Sequence, residues 1–112
     1  MSIAKKLQIP SGESISLTNP PAGFKIDAPI KFGSTVLLLF ARASKSLKRD
    51  GMPVFDAEKQ DKLSWIAYPK GGKLDTDLDR DKLAELAKPI GIQPVCLVSL
   101  DATWSAMRFR PA

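Results

Sequence analysis

Hydrophobic residues along the chain fall into short continuous runs and one stretch with helical spacing. Residues 31–43, "KFGSTVLLLFARA", and 62–70, "KLSWIAYPK", each hold a nearly unbroken apolar run bounded by glycine, proline or basic residues. Such runs are typical of strands buried on both faces, as in parallel sheets. Residues 13–19, "ESISLTN", alternate apolar and polar positions up to a pair of prolines, and they predict a strand that enters a loop.

Residues 79–91, "DRDKLAELAKPIG", have the spacing of a helix with one apolar face. The positions i, i+3, i+4 and i+7 of that face are Leu83, Leu86, Ala87 and Ile90. Asp79 is the predicted N-cap, and Asp81 lies in the first turn, where the helix dipole favours negative charge. Pro89 and Gly91 predict the end of the helix.

Residues 43–61 predict a poorer helix, because Gly51 and Pro53 fall inside the segment and proline removes a backbone donor. We expect this helix to be broken or kinked. Near the C-terminus, "QPVCLVSLD" and "TWSAMRFRPA" predict two strands. The link between them is too short for a parallel crossover, so the pattern predicts an antiparallel hairpin.

The order of these elements predicts the fold class. Strands that alternate with helices favour a mostly parallel open sheet covered on both faces, with one antiparallel strand at its end. We therefore predict an α/β three-layer sandwich that is Rossmann-like and ends in an antiparallel hairpin. Residues 13–112 are expected to form a single α/β domain, and residues 1–12 a flexible N-terminal segment.

The composition is that of an ordinary globular protein. The chain has 112 residues, of which 44% are hydrophobic and 26% charged, so one core is expected. The longest apolar run, "VLLLFA", is far short of a membrane span, and the first residues lack the apolar region of a signal peptide. The single cysteine, Cys96, is expected to be a buried, inert thiol and suits a reducing compartment. We expect a cytoplasmic protein that does not bind membranes.

Several chemistries are excluded by the absence of particular residues. The chain has no histidine and one cysteine, which removes the usual general base and the ligands of a zinc site. No metal, cofactor or catalytic residue is predicted, and the composition favours a protein that is not an enzyme. One enzymatic alternative stays open, in which Lys70, Tyr68 or an aspartate acts as acid or base.

The net charge of +5 permits attraction to nucleic acid, anionic ligands or acidic proteins. The densest basic group consists of Arg42, Lys45, Lys48 and Arg49. It lacks the interleaved aromatic residues of a single-strand binding surface. A solvated helix face and a binding patch are therefore both open interpretations of this group.

Ligands of open α/β sheets bind beyond the carboxyl ends of the parallel strands. The loops that follow the predicted strands, together with the hairpin link and the start of the last helix, should share that edge. We call this edge the strand-end rim. Its candidate ligand-binding residues are Asn19, Arg42, Tyr68, Lys70, Thr76, Asp77, Arg80, Asp101, Trp104 and Ser105.

The segment before the last helix has three interpretations. Capping and dipole effects explain Asp77, Asp79 and Asp81 without any ligand. A calcium loop fits the D-x-D-x-D spacing, but the glycine and glutamate required later in that motif are replaced by Arg80 and Leu86. "PKGGK" lacks the spacing of a phosphate loop. Trp104 is likewise open to interpretation as a core residue, a rim residue or a stacking surface.

Five segments of the chain carry a family resemblance: "SLTNPPAGF", "LSWIAYPK", "TDLDRDKL", "GIQPVCLVSLD" and "TWSAMRFRP". They resemble the DUF3052 family of small bacterial proteins, a family that implies no known reaction. The order of elements is also similar to the C-terminal half of class I methyltransferases. "NPPAGF" stands where a methyltransferase would carry its glycine-rich cofactor loop, so the cofactor SAM is not expected.

The leading functional hypothesis is a non-catalytic binding module that uses the strand-end rim for a small polar ligand or a protein partner. The alternative is a basic nucleic-acid accessory protein that uses the Arg42 to Arg49 group. The oligomeric state stays open, because the first or last strand could leave an edge that pairs with a second copy.

Overall fold

The five strands form one mixed sheet within an α/β domain, as a computed structural model describes for residues 2–112. The strands are β1 (Ser16–Thr18), β2 (Leu37–Phe40), β3 (Ser64–Pro69), β4 (Ile92–Ser99) and β5 (Trp104–Pro111). The α-helices are α1 (Ile3–Lys6), α2 (Ser44–Asp50), α3 (Met52–Lys59) and α4 (Arg80–Ala87). No helix within residues 2–112 combines the length and the apolar character needed to cross a bilayer.

The sheet has the strand order β1-β2-β3-β5-β4. β1, β2 and β3 are parallel, and β5 pairs antiparallel with both β3 and β4. Every residue of β3 is buried, as the continuous apolar run predicts. The parallel strands and the antiparallel hairpin are therefore confirmed.

The position of the antiparallel strand differs from the prediction. β5 lies inside the sheet, between β3 and β4, and β4 forms the edge. The reason is burial: β5 buries Trp104, Met107 and Phe109 in the core, whereas most of β4 is exposed, including Val95 and Leu97. Both strands have apolar sequences, so only the packed structure distinguishes the interior strand from the edge strand.

Helices α2, α3 and α4 pack against one face of the sheet, where Leu47, Val54 and Leu83 meet sheet residues such as Ile66 and Met107. The connections from β2 to β3 and from β3 to β4 both advance in the same direction across the sheet. Connections of the same hand that advance in the same direction place their helices on the same face of the sheet. The helices α2, α3 and α4 therefore all cover one face, whereas the sequence predicts helices of this kind on both faces.

The opposite face is covered by the N-terminal segment and irregular chain between β1 and β2. Leu7 is fully buried against this face, and Trp65 Nε1 donates a buried hydrogen bond of 3.0 Å to the Leu7 carbonyl oxygen. Phe24 and Ile26, from the irregular chain, pack on the same cluster. Within residues 1–12, for which the sequence predicts a flexible N-terminal segment, Ala4, Leu7 and Ile9 are thus part of the core.

The predicted helix signals describe the local structure well. The 43–61 segment is broken at Gly51 into α2 and α3, as predicted. The Asp79 carboxylate accepts a hydrogen bond of 2.7 Å from the Lys82 amide, which confirms the N-cap of α4. The chain leaves this helix through a short 3₁₀ turn and Gly91, whose φ of 93° is left-handed.

Candidate functional site

A surface pocket of about 350 Å³ opens beyond the carboxyl ends of β1 and β2, at the predicted rim. We call it the strand-end pocket. Residues from β2, α2, β5 and the loops after β1, β2 and β3 contribute to it, although they are far apart in the sequence. Its lining residues are Asn19, Pro21, Phe40, Arg42, Ser46, Arg49, Leu74 and Trp104.

Aromatic rings form the apolar wall of the strand-end pocket. The rings of Phe40 and Trp104 meet edge to face, with centroids 5.1 Å apart and an interplanar angle of 83°. Phe24 also packs edge to face on Phe40, with ring centroids 4.9 Å apart. Edge-to-face pairs of this kind hold each ring in a defined orientation. Trp104 is 93% buried by this packing, yet it still lines the pocket, so its core and rim interpretations both apply.

Two guanidinium groups supply the positive charge of the pocket, and they differ in their partners. Arg49 binds Asp50 through Nη2 at 2.9 Å, and Asn19 Nδ2 donates to the same carboxylate at 2.8 Å. These hydrogen bonds, that from Arg49 first, hold the pKa of Asp50 below its usual value. Arg42 Nε donates a long hydrogen bond of 3.3 Å to the Leu74 carbonyl oxygen. Arg42 has no carboxylate partner within residues 2–112.

Leu74 lies at the mouth of the pocket in an unfavourable backbone conformation. Its φ of 57° and ψ of 26° are left-handed, and its side chain is exposed. Leucine adopts this region rarely, and the conformation costs about 1–2 kcal/mol. It belongs to the irregular segment Lys70–Asp75, in which Gly71 and Gly72 are also left-handed. The neighbouring structure therefore holds an apolar side chain beside the pocket against its local preference.

A second concavity of about 330 Å³ adjoins the strand-end pocket and shares Pro21, Leu74 and Trp104 with it. Asp101 also lines this concavity, but its carboxylate already accepts two backbone hydrogen bonds of 2.8 Å, from Thr103 and Trp104. Asp101 thus shapes the turn between β4 and β5. It is committed to that turn rather than to the strand-end pocket.

Two candidate rim residues make structural hydrogen bonds: Lys70 to the β4–β5 hairpin and Thr76 within the loop before α4. Lys70 Nζ donates to Ser99 Oγ and to the Asp101 carbonyl oxygen, which ties the end of β3 to the hairpin. Thr76 Oγ1 accepts a hydrogen bond of 3.0 Å from the Leu78 amide. Both side chains have local structural partners, and neither lines the strand-end pocket.

Asp77 caps α2 across a large sequence separation. Its carboxylate accepts hydrogen bonds from the Ser44 amide, at 2.8 Å, and from the Ser44 hydroxyl. The residue at the N-cap position, Ala43, has no side chain that could cap the helix. The Ser44 hydrogen bonds hold the pKa of Asp77 below its usual value. The carboxylate stays charged and links the starts of α2 and α4.

The remaining candidates lie on the other face of the sheet. Pro69 pairs with Trp104 and Tyr68 pairs with Ser105, so Tyr68 and Trp104 are close along the backbone. Successive side chains of a strand point to opposite faces, and Tyr68 packs among the helices rather than beside the indole. Arg80 is exposed on α4, 3.8 Å from Asp81. The sheet therefore divides the predicted rim into two surfaces.

The structure brings together three candidates, Asn19, Arg42 and Trp104, and adds residues that were not predicted. Arg49 belonged to the basic group whose role stayed open. Ser46 and Leu74 carry no motif: Ser46 lies in the first turn of α2, and Leu74 lies in the irregular segment that contains the left-handed glycines Gly71 and Gly72. Position beyond a strand end predicts that Asn19, Arg42 and Trp104 meet. It does not predict the direction in which each side chain points.

No family model, curated protein or solved structure matches the chain. The function is therefore inferred from the strand-end pocket itself.

Proposed function

We propose that the protein is a non-catalytic binding module that takes a small polar ligand in the strand-end pocket. The observation that supports this most is the convergence of Asn19, Arg42 and Trp104 on one concave site. Ligand sites are concave, largely apolar and equipped with a few directed polar groups. A wall of aromatic rings facing guanidinium, amide and hydroxyl groups has this composition.

The polar groups of the pocket support binding rather than catalysis. Its lining has two arginines, an asparagine and a serine, and none of these is an ordinary general base near neutral pH. Tyr68, an open alternative as acid or base, is buried on the opposite face. Burial raises its pKa, which keeps the hydroxyl protonated. Lys70, the other alternative, is engaged by the hairpin turn.

The strained Leu74 also favours a binding role. Unfavourable backbone conformations persist only where the surrounding structure imposes them, and they concentrate at functional sites. Here the strained residue lines the same pocket as Trp104 and has an exposed apolar side chain. A ligand with an apolar part would contact both residues.

We also infer that the domain is a reduced three-layer sandwich of the Rossmann-like class and a divergent relative of the DUF3052 family. The parallel β1–β3 order and the pocket beyond the strand ends support the first part. In this interpretation α1 and the chain between β1 and β2 replace the second helical layer. The single half-buried cysteine fits a cytoplasmic location.

Ligand-observed NMR with mixtures of small metabolites and mononucleotides tests the proposed function. The matched variant is Ser46→Tyr, which places a phenol ring in the pocket at a half-buried position of α2. We expect ligands that bind the natural protein to lose binding to this variant. Ligands that bind both proteins equally, or a complete lack of binding by the natural protein, would count against the pocket.

A nucleic-acid accessory role is the second candidate, and the exposure of the basic group favours it. Arg42, Lys45, Lys48 and Arg49 are all exposed along α2 and its start. Binding through such a group should weaken steeply with salt, since each neutralised phosphate releases counterions. A mobility-shift series at low salt with no retarded band would eliminate this role.

A further inference from the structure

We propose that the ligand of the strand-end pocket is a small organic anion with one negatively charged group and a flat apolar body. This inference depends on the proposed function, and it assigns the chemical class of the ligand. It follows from the charges, the shape and the walls of the pocket.

The charge of the pocket supports a single negative group. Arg49 is neutralised by Asp50, whereas Arg42 has no carboxylate partner within residues 2–112. The two terminal nitrogens of Arg42 also make no hydrogen bond in that part of the chain, since its only bond runs from Nε to Leu74. An arginine fork with both terminal nitrogens available binds a carboxylate or phosphate in bidentate fashion. Asp101 lines only the adjoining concavity and forms no ion pair with Arg42 within residues 2–112, and its Oδ1 accepts hydrogen bonds from two backbone amides.

The remaining walls of the pocket favour a flat apolar body. Trp104 and Phe40 form one wall, and Leu74 stands at the mouth. These side chains can contact a ring or short hydrocarbon while the anionic group lies on Arg42. A ligand with charge alone would leave the exposed side chain of Leu74 and the small accessible part of Trp104 in contact with water, so the charged and apolar sides of the pocket together indicate an amphipathic anion.

The volume of the pocket sets the size. At about 350 Å³ it lies near the lower end of the range for small-molecule sites, roughly 300–1,000 Å³. One ring with one anionic group fits such a volume. The same chemistry is offered by a free organic acid and by a phosphate monoester, so a test must contain both.

Fluorine NMR of protein labelled with fluorotryptophan provides the test. The chain has two tryptophans, Trp104 at the pocket and Trp65, which is fully buried elsewhere and serves as an internal control. A Trp104→Phe variant assigns the two resonances. The probes are benzoate, phenyl phosphate, neutral benzamide and cationic benzylamine, which share the ring and differ in charge.

We expect benzoate or phenyl phosphate to shift the Trp104 resonance and leave the Trp65 resonance in place. Tighter binding of benzoate would indicate a free organic acid as the ligand, and tighter binding of phenyl phosphate would indicate a phosphate monoester. Benzamide and benzylamine should bind at least about tenfold more weakly, and Arg42→Gln should weaken anion binding by about tenfold. Lys45→Gln removes an exposed charge of α2 that lies outside the pocket, so it should change the affinity by less than about twofold.

Two results would overturn the anion inference while leaving the proposed function intact. One is equal affinity for benzamide and benzoate, and the other is an equal loss of affinity in the Arg42→Gln and Lys45→Gln variants. Failure of all four probes to move the Trp104 resonance would also overturn the inference. The metabolite screen with Ser46→Tyr then decides the proposed function separately.

Discussion

Among single residues, Glu58 has the least favourable surroundings. Its side chain is fully buried on α3, and neither carboxyl oxygen has a hydrogen-bond partner within residues 2–112. Burial raises its pKa from 4.5 to about 9. An ionised carboxylate without a partner is costly to bury, so the folded protein keeps this group protonated at neutral pH.

This burial predicts how stability depends on pH. Between pH 4.5 and about 9 the folded state holds a proton that the unfolded state has released, so the free energy of unfolding falls as pH rises. The fall has an upper limit of about 1.4 kcal/mol per pH unit. Glu58→Gln should remove this fall and stabilise the protein at neutral pH. Urea unfolding across that range measures it.

Glu85→Gln is the control for this prediction, since Glu85 is an exposed glutamate on α4. It should leave the pH dependence unchanged. If the Glu58→Gln protein kept the same decline in stability as the natural protein, the buried carboxyl would not be its source.

Gly51 offers a second prediction at this scale. A Cβ atom added there would overlap the Leu47 carbonyl oxygen and lie 2.7 Å from Phe55 Cε2. We therefore expect Gly51→Ala to lower the free energy of unfolding by about 1–3 kcal/mol, as overpacking does elsewhere. Gly12→Ala is the comparison. A Cβ atom at Gly12 would meet no other atom within 4 Å, so the alanine would be strained only by the left-handed φ of 84°. A smaller loss at Gly51 than at Gly12 would contradict the steric explanation.

Residue roles could be predicted from the sequence where the partner is local. Asp79 caps a helix three residues away, and the sequence contains both partners of that hydrogen bond. Asp77 caps α2 through Ser44, which lies 33 residues earlier, so its role depends on the folded structure. The capping role of Asp79 could therefore be predicted from the sequence because its partner is near, whereas that of Asp77 could not because its partner is distant.

Helix α4 carries the prediction at the scale of elements. Replacing the Asp79 N-cap with alanine should lower the free energy of unfolding by about 1 kcal/mol, because the Lys82 amide loses its acceptor. Asp81→Ala is the matched control in the first turn, where the carboxylate only faces Arg80 at 3.8 Å. Urea unfolding of both variants gives the comparison. Equal losses would mean that helix charge, rather than the cap, supports α4.

Element types follow from the sequence more readily than element neighbours do. The apolar run of β3 and the helical spacing of α4 are local patterns, and both elements form as predicted. The insertion of β5 between β3 and β4 depends on which hairpin strand fits the core better. Two apolar strands of similar composition do not reveal that difference before they pack.

The N-terminal segment carries the prediction at the scale of the whole molecule. Leu7 is fully buried, and its carbonyl oxygen accepts the hydrogen bond of Trp65. Leu7→Ala should lower the free energy of unfolding by about 2–5 kcal/mol, in the range of large core truncations. Lys5→Ala, at an exposed position of α1, should change it by less than about 0.5 kcal/mol. Similar values for both variants would mean that the segment is not part of the core.

The candidate site shows what a sequence reveals about the whole molecule. Parallel strands place their following loops at one edge, which correctly predicts that Asn19, Arg42 and Trp104 meet. The same rule does not say which face each side chain takes. The rule therefore places Tyr68 and Ser105 at one rim with Trp104, although their side chains lie on the opposite face of the sheet from the indole.

A backbone amide chemical-shift map, recorded while a bound metabolite or phenyl phosphate is titrated in, tests the strand-end pocket most directly. We predict that the largest changes fall on Asn19, Arg42, Ser46, Leu74 and Trp104. The amides of Arg80 and Leu83, on α4 at the helix-covered face, should change little. Changes concentrated on that face, or on the exposed edge of β4, would contradict the assignment of the pocket as the ligand site.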